Sequence, residues 1–392
     1  MEDNITNDIE YYENLSILEL EKIKKKKKIL AQRYFNYEQA IKLMLNSIYG
    51  AFGNEYFYFY NTDIAETITI QGQNAILFTE MILNSYFQKF WHTDISVHEK
   101  MGIQIKGQVI KPVVIYIDTD SCYVSFQEII EKSDWEGDEK TFILNLYKYR
   151  LQAYIAAALE KYAKSYNSDN FLFFELESVA KSGIWLAKKK YIQDLVWKDP
   201  DISFESLSKI KAKGFEIIQS STPLFARTEL KELLSLIFAD NKNVKIAKIV
   251  RKLKKLKNKF KLSDIENISK NVRINNYTKY IENDYKTFEV IKGCPVHVRG
   301  AGYHNFIINN SKEYKKKYRL ITSGEKVKMY YSMDKGCNVF SYIAGEFPYE
   351  IAPKIDMELQ FEKVILSPIN RVIHAIGLQV LDRNLLYSTT VF

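Results

Sequence analysis

Residues 113–126 read VVIYIDTDSCYVSF, an apolar, β-branched and aromatic run interrupted by Asp118 and Asp120 with only Thr119 between them. Val113 to Tyr116 and Cys122 to Phe126 have strand composition, so the DTD tip predicts a β-hairpin and hence an antiparallel sheet. An ionised carboxylate costs several kcal/mol to take out of water unless it is paired or bound to a metal. On a strand, residues i and i+2 share a face, so the two aspartates could address one cation.

The pair alone leaves several readings open. An EF-hand calcium loop also begins Asp-x-Asp, but it needs Gly at its sixth position and Glu at its twelfth, which here are Tyr123 and Ile129. That reading fails. A nucleotide-sugar transferase uses Asp-x-Asp as well, and a solvated hairpin tip needs no metal at all.

With 392 residues, 46% of them hydrophobic, the chain can bury two or three packed units. Its 28 tyrosines and 23 phenylalanines exclude a disordered chain. Cys122, Cys294 and Cys337 form no CxxC pair, so they read as inert thiols in a reducing compartment. The leader MEDNITNDIEYYENL is acidic and lacks the apolar stretch of a signal peptide, and no apolar run approaches the ~20 residues that span a bilayer. The expectation is a soluble, intracellular (cytoplasmic) protein with no membrane partner.

Helical spacing of apolar residues runs through residues 15–47, as one long helix or two stacked segments, and returns at 63–90 and 139–166. Residues 56–60, 171–177 and 191–197 read as strands. Long helices with scattered strands indicate an α+β fold with an antiparallel sheet. The lysine run 24–28 would circle a helix, as solvated faces commonly do. Residues 248–261, KIVRKLKKLKNKFK, instead place Ile249, Val250, Leu253, Leu256 and Phe260 on one stripe, with cations including Lys252 and Lys255 on the rest. Such a helix suits a phosphate backbone or an anionic membrane.

Three further segments carry chemistry. In KLMLNSIYGAFGN (42–54), Lys42, Asn46, Tyr49 and Gly53 fall on one helical stripe; a cation, an amide and a phenol there make a poor core and a good nucleotide-reading surface. In WLAKKKYIQDLVW, Lys188, Lys189, Lys190 and Tyr191 lead into an apolar strand. In CPVHVRG (294–300), His297 and Arg299 alternate with valines and are expected to face one way from a strand.

Taken in order, these segments resemble the polymerase half of family B DNA polymerases, most closely those of T-even-type phages. Lys42-x-x-x-Asn46-Ser47-x-Tyr49-Gly50 resembles the fingers motif, and YIDTDS (116–121) the palm motif Tyr-Gly-Asp-Thr-Asp-Ser with Ile117 in place of glycine. Lys188 to Tyr191 resembles the primer-gripping Lys-Lys-Arg-Tyr. KIKAKGFEIIQSSTP, which contains Lys213, CPVHVRG and SGEKVKMYY resemble thumb segments. The resemblance implies an antiparallel palm sheet with helices, a helical fingers segment (1–53), a palm (54–212) and a mixed, mainly helical thumb with a C-terminal tail (213–392).

It also implies a DNA-directed DNA polymerase that transfers nucleotides from dNTPs to a primer 3′ hydroxyl with two Mg²⁺ ions. Asp120 would be the direct ligand and Asp118 its support, with Glu175 and Glu177, i and i+2 in FFELESVA, as accessory carboxylates. Lys42 and Asn46 would bind the triphosphate, and Tyr49 would pack below the nascent base pair. Lys188, Lys189, Lys190, Tyr191 and Lys213 would hold the primer, and His297, Arg299, Lys252 and Lys255 would meet the duplex backbone of primer–template DNA.

The departures matter as much. The family's other metal-binding aspartate lies in an Asp-x-x-Ser-Leu-Tyr-Pro-Ser motif that does not occur here, and the upstream fingers helix and the exonuclease domain are missing too. With an initiating methionine and an acidic leader, the sequence predicts one chain of a split polymerase, broken near the fingers tip; a piece cut from a longer polymerase would have the same residues. An N-terminal polymerase/exonuclease partner would then supply the missing aspartate and share one Mg²⁺ ligand set, across a large apolar interface. Ile117 requires that the tip avoid positive φ at that residue. The apolar tail LLYSTTVF is a candidate for a sliding clamp. The rival class is a catalytically inactive DNA-binding accessory subunit; a scaffold, however, needs none of Lys42, Tyr49, Asp118 and Asp120.

Overall fold

In a computed structural model, the protein is described for residues 11–13, 15–205, 207, 209–215, 219–239, 246–281 and 287–382. Residues 1–10 of the leader and all of the tail LLYSTTVF lie outside the described residues. The chain divides into two compact units, Met1–Thr93 with Gln108–Glu128, and Asp94–Gly107 with Ile129–Phe392. Helices and antiparallel sheets are mixed throughout, the α+β class expected.

The first unit starts with helix α1 (Ile17–Phe52), entered by a capping box in which Ser16 and Glu19 satisfy each other's backbone amides. None of its residues is buried, and Ile29, Leu30, Tyr34, Phe35, Ile41 and Leu45 are all exposed. Residues 56–60 are not the expected strand. The Asn54 side chain accepts from the Tyr56 amide at 3.1 Å, and i→i+3 backbone bonds (Phe57 to Asn54, Tyr60 to Phe57) coil the aromatic run into consecutive turns.

Asn61 then caps α2 (Thr62–Ser85), whose second half buries Ala75, Ile76, Thr79, Ile82 and Leu83. A π-helical turn, Tyr86–Phe90, follows, and Phe87 meets Trp91 and Phe126 in an aromatic cluster. Strands β1 (Val114–Asp118) and β2 (Ser121–Val124) form the expected hairpin, closing at the pair Asp118↔Ser121.

The second unit contains α3 (Ile95–Met101), α4 (Glu139–Leu146) and α5 (Gln152–Ser165), the last two joined by a π-helical turn, and Arg150 pairs with Asp94 at 2.6 Å. Its first sheet is β3 (Ser178–Ala187), β4 (Lys190–Lys198), β5 (Ile202–Ser203) and β6 (Ile210–Lys213). Strand β4 pairs antiparallel with each of the other three. The second sheet is β7 (Lys270–Arg273), β8 (Lys326–Tyr331) and β9 (Val339–Ile343) in that order.

Helices α6 (Leu224–Phe238), α7 (Ile246–Lys261), α8 (Val296–Asn309) and α9 (Ser367–Ala375) complete this unit. Its main core joins Leu230, Leu234, Leu253, Phe260, Ile365 and Val372 to Tyr330 and Phe340 of the second sheet. The apolar stripe expected on α7 is the buried one: Ile249, Leu253, Leu256 and Phe260 all face inward.

CPVHVRG is helical, not extended. Pro295 stands at the N-cap of α8, and Val298, Ala301, Asn305 and Ile308 are buried at helical spacing beyond it. The alternation of valines covers only five residues, and the longer 3.6-residue pattern prevails. Gly300 lets α8 lie directly on β9: a Cβ there would be 2.7 Å from Ser341 Oγ, 3.0 Å from its amide nitrogen and 3.1 Å from the Phe340 carbonyl carbon.

Candidate functional site

The hairpin tip holds the two aspartates in contrasting settings. Asp118 ends β1 and is 6% exposed, whereas Asp120 lies in the two-residue turn and is exposed. A shared strand face is therefore not what joins them. Thr119, at φ 60°, makes the chain reverse so sharply that the Asp120 amide donates to the Asp118 carbonyl at 2.7 Å, a γ-turn across a β-branched residue.

The Thr119 hydroxyl donates to Asp118 Oδ1 at 3.2 Å, and Ser121 Oγ donates to the Asp118 carbonyl at 3.1 Å. Ile117 stays in the ladder opposite Cys122, so the positive φ falls on Thr119, as the bulk of Ile117 requires. Asn84 of α2, to which no sequence motif points, anchors the hairpin: its Oδ1 accepts from the amides of Val113 (2.8 Å) and Val114 (3.0 Å). Its only sequence signal is a lone amide in the apolar helical run EMILNSYF. Burial, then the carboxylate of Glu80, push the Cys122 thiol up to about 12, so it is a neutral, unreactive group.

Lys42, Asn46 and Tyr49 all lie exposed on the C-terminal half of α1, which runs on through Gly50 and ends at Gly53. Tyr49 points at α2, its hydroxyl 2.9 Å from Thr69 Oγ1. Helix α2 thus serves both elements, Tyr49 at Thr69 and the hairpin at Asn84, about 22 Å apart along its axis.

In the second unit, Lys188 and Lys189 form the two-residue tip between β3 and β4, whose last pair is Ala187↔Lys190. Lys189, like Thr119, is a side-chain-bearing residue at positive φ (59°). Tyr191 is only 2% exposed, so its ring supports the tip from below. Lys213 lies opposite it in the β4–β6 ladder, with its ammonium 5.7 Å from the centre of the Tyr191 ring. The structure thus brings Lys188, Lys189, Lys190, Tyr191 and Lys213 into one place.

Glu175 and Glu177 are exposed, but residues 171–177 form no strand; the ladder begins at Ser178. The shared-face argument for them therefore does not hold. Glu177 pairs with Lys211 at 3.5 Å, while Glu175 lies near the Tyr147 phenol, which burial first and that carboxylate after it push up. Among the described residues, no group of three or more His, Cys, Asp and Glu side chains is placed to hold a metal.

His297 and Arg299 also part company, because residues two apart on a helix point about 200° away from each other. Desolvation lowers the half-buried His297. Arg299 donates through Nη2 to Asn338 Oδ1 at 2.9 Å.

On α7, acids from other segments take up part of the basic face. Lys252 pairs with Glu232 and with the buried Glu229, Lys259 with Glu229, and Lys257 (2.7 Å) and Lys261 (2.9 Å) with Glu358. Lys248, Arg251 and Lys255 remain as an exposed stripe at i, i+3 and i+7.

Sequence comparison bears on the hairpin that presents Asp-Thr-Asp, whereas the lysine-rich tip lies outside the stretch that the family model matches. Residues 19–136 match the family model of DNA polymerase family B. Over that stretch the chain resembles the family.

The chain is also similar to the DNA-directed DNA polymerase of Escherichia phage RB69, at 27% identity over 300 residues, 73% of this chain and 30% of that one. Against the DNA-directed DNA polymerase of Enterobacteria phage T4 it is 26% identical over 274 residues (66% and 28%). It is 25% identical over 216 residues to the DNA polymerase alpha catalytic subunit of Xenopus laevis (55% and 12%). The chain thus spans less than a third of the length of these relatives. No helix among the described residues is long and apolar enough to cross a membrane.

Proposed function

We infer that this chain supplies the palm hairpin, part of the fingers and the thumb of a DNA-directed DNA polymerase that adds nucleotides from dNTPs to a primer 3′ hydroxyl on a DNA template. The observation that carries the reading is the tip itself, a buried Asp118 and an exposed Asp120 tied by a γ-turn, within the region that matches the family.

Two hard carboxylate donors two residues apart on one tight turn suit Mg²⁺, a cation that prefers oxygen ligands and commonly takes only one or two carboxylates with substrate phosphates. Asp120, exposed, would ligate it directly, and Asp118, held by Thr119, would support. When bound, two such ions stabilise charge on the attacking and leaving oxygens of phosphoryl transfer. Glu175 and Glu177 are accessory candidates only.

The chain's own residues have distinct tasks in this scheme. Lys42 and Asn46 meet the triphosphate, and Tyr49, set by its Thr69 contact, packs below the nascent pair. Lys188, Lys189 and Lys190 neutralise primer phosphates, with Tyr191 and Lys213 bracing them. Arg299 and the stripe through Lys255 meet the duplex; His297, half-buried and turned away from Arg299 on α8, contributes less, as does Lys252, already paired with two glutamates.

The partner in this reading is a chain carrying the second metal aspartate and the exonuclease. In its support, α1 exposes a long series of apolar side chains with none buried. The test is primer extension with Mg²⁺ and dNTPs, using this chain alone and with its candidate companion. Activity only in the mixture, lost in Asp120→Ala, is the expected result. Silence in both with tight duplex binding would favour an inactive DNA-binding accessory subunit.

A further inference from the structure

We propose that Gly214 is a positioning residue for the Lys188–Tyr191 tip, a wedge whose missing side chain fixes where the primer-holding lysines stand. The proposal rests on the primer-holding role inferred above.

Strand β6 pairs with β4 through Tyr191↔Lys213, so the residue after Lys213 arrives beside the β3–β4 turn. Gly214 has φ +66°, the left-handed region, and its backbone lies against that turn. A Cβ there would stand 2.2 Å from the Lys189 carbonyl oxygen, 3.2 Å from its carbonyl carbon and 3.1 Å from Lys190 Cγ. Two of these atoms are backbone, so no rotamer change relieves the collision. Either the tip or the end of β6 must move, by roughly 1 Å to restore an ordinary contact.

The Lys189 peptide is itself held at φ 59°, so it has little freedom to yield within the turn. The two left-handed residues therefore interlock, and the directions of Lys188, Lys189 and Lys190 are set from outside their own hairpin. Misplacement of about 1 Å in a positioning element is enough to cost up to about 100-fold in function.

The test compares Gly214→Asn with Gly345→Asn in the full chain. Asn tolerates positive φ better than other side-chain-bearing residues, and a Cβ at Gly345 (φ +85°) would meet nothing within 4 Å. Both variants gain a side chain at positive φ, but only one meets backbone. Binding to a fluorescent primer–template hairpin DNA is measured by anisotropy at salt concentrations from roughly 50 to 300 mM.

Gly214→Asn is expected to weaken binding about tenfold and to lower the salt slope by about one, although no charge has been removed. Gly345→Asn is expected to change neither. A merely structural role would lower thermal stability in both variants without altering the slope. A glycine inserted between Lys188 and Lys189 moves the tip without touching Gly214; should Gly214→Asn not fold, this variant must show the same loss.

Wild-type affinity and slope in Gly214→Asn, with a defect in Lys188→Ala/Lys189→Ala, would overturn the wedge and leave the primer role standing. An unimpaired Lys188→Ala/Lys189→Ala variant would overturn the primer role, and the wedge with it.

Discussion

The Asp120 amide donates to the Asp118 carbonyl at 2.7 Å across Thr119, so one turn fixes two carboxylates with opposite exposure. In the function inferred above, Asp120→Ala is expected to reduce nucleotide incorporation by the assembled polymerase to background while leaving primer–template affinity within about twofold, because the carboxylate would hold the metal rather than meet the duplex. Primer extension and anisotropy, run on the same samples, separate the two. Equal loss of both would remove the metal assignment.

The α7 lysines should divide by their partners. Lys255→Ala is expected to lower the salt slope of duplex binding by about one with no change in melting temperature. Lys252→Ala is expected to leave the slope nearly unchanged and to destabilise by about 1 kcal/mol or less, since Lys252 is partly exposed and Glu229 keeps Lys259. The reverse pattern would place the DNA on the other side of the helix.

His304 makes stability depend on pH. It is 2% exposed, its Nε2 lies 3.2 Å from the Arg319 carbonyl oxygen, and its buried Nδ1 has no hydrogen-bond partner. Desolvation, only partly opposed by that carbonyl, lowers it from 6.5 to about 4. Between those values the unfolded chain binds a proton that the folded chain does not, so stability is complete above pH 6.5 and falls as pH drops towards 4. The loss reaches about 3 kcal/mol at about pH 4. His304→Gln, which can still donate to the Arg319 carbonyl, should remove this component from denaturant melts; identical pH profiles would disprove it.

Gly300→Ala tests the seat of α8 on β9. The added methyl meets both the side chain and the backbone of Ser341, and overpacking of this kind costs about 1–3 kcal/mol. Urea unfolding should show a lower midpoint with an unchanged m-value.

Local pattern decides most of what is legible in the sequence. The DTD hairpin, the α1 stripe and the apolar side of α7 follow from alternation or helical spacing within a few turns, and the structure has each of them. CPVHVRG misleads because five alternating residues fit a strand, whereas the helix is specified by residues that continue to Ile308. Residues 56–60 and 171–177 have strand composition, but composition supplies no partner for a ladder. Lys252 looks free in the sequence because Glu229 and Glu232 lie on a different helix, 20 residues or more away in the chain. Gly214 is invisible for the same reason, since the Lys189 carbonyl that requires it comes from another hairpin.

Helix α1, about 54 Å long at 1.5 Å per residue, draws almost nothing from burial. Its backbone bonds are therefore protected only by helical propensity, the capping box and a few contacts near its C-terminal end. Its amides should be among the fastest-exchanging helical amides of the isolated chain, with protection falling from Tyr49 back towards Ser16. Docking of a companion would slow that exchange along the whole helix, an amide-by-amide record of assembly that requires no catalytic turnover.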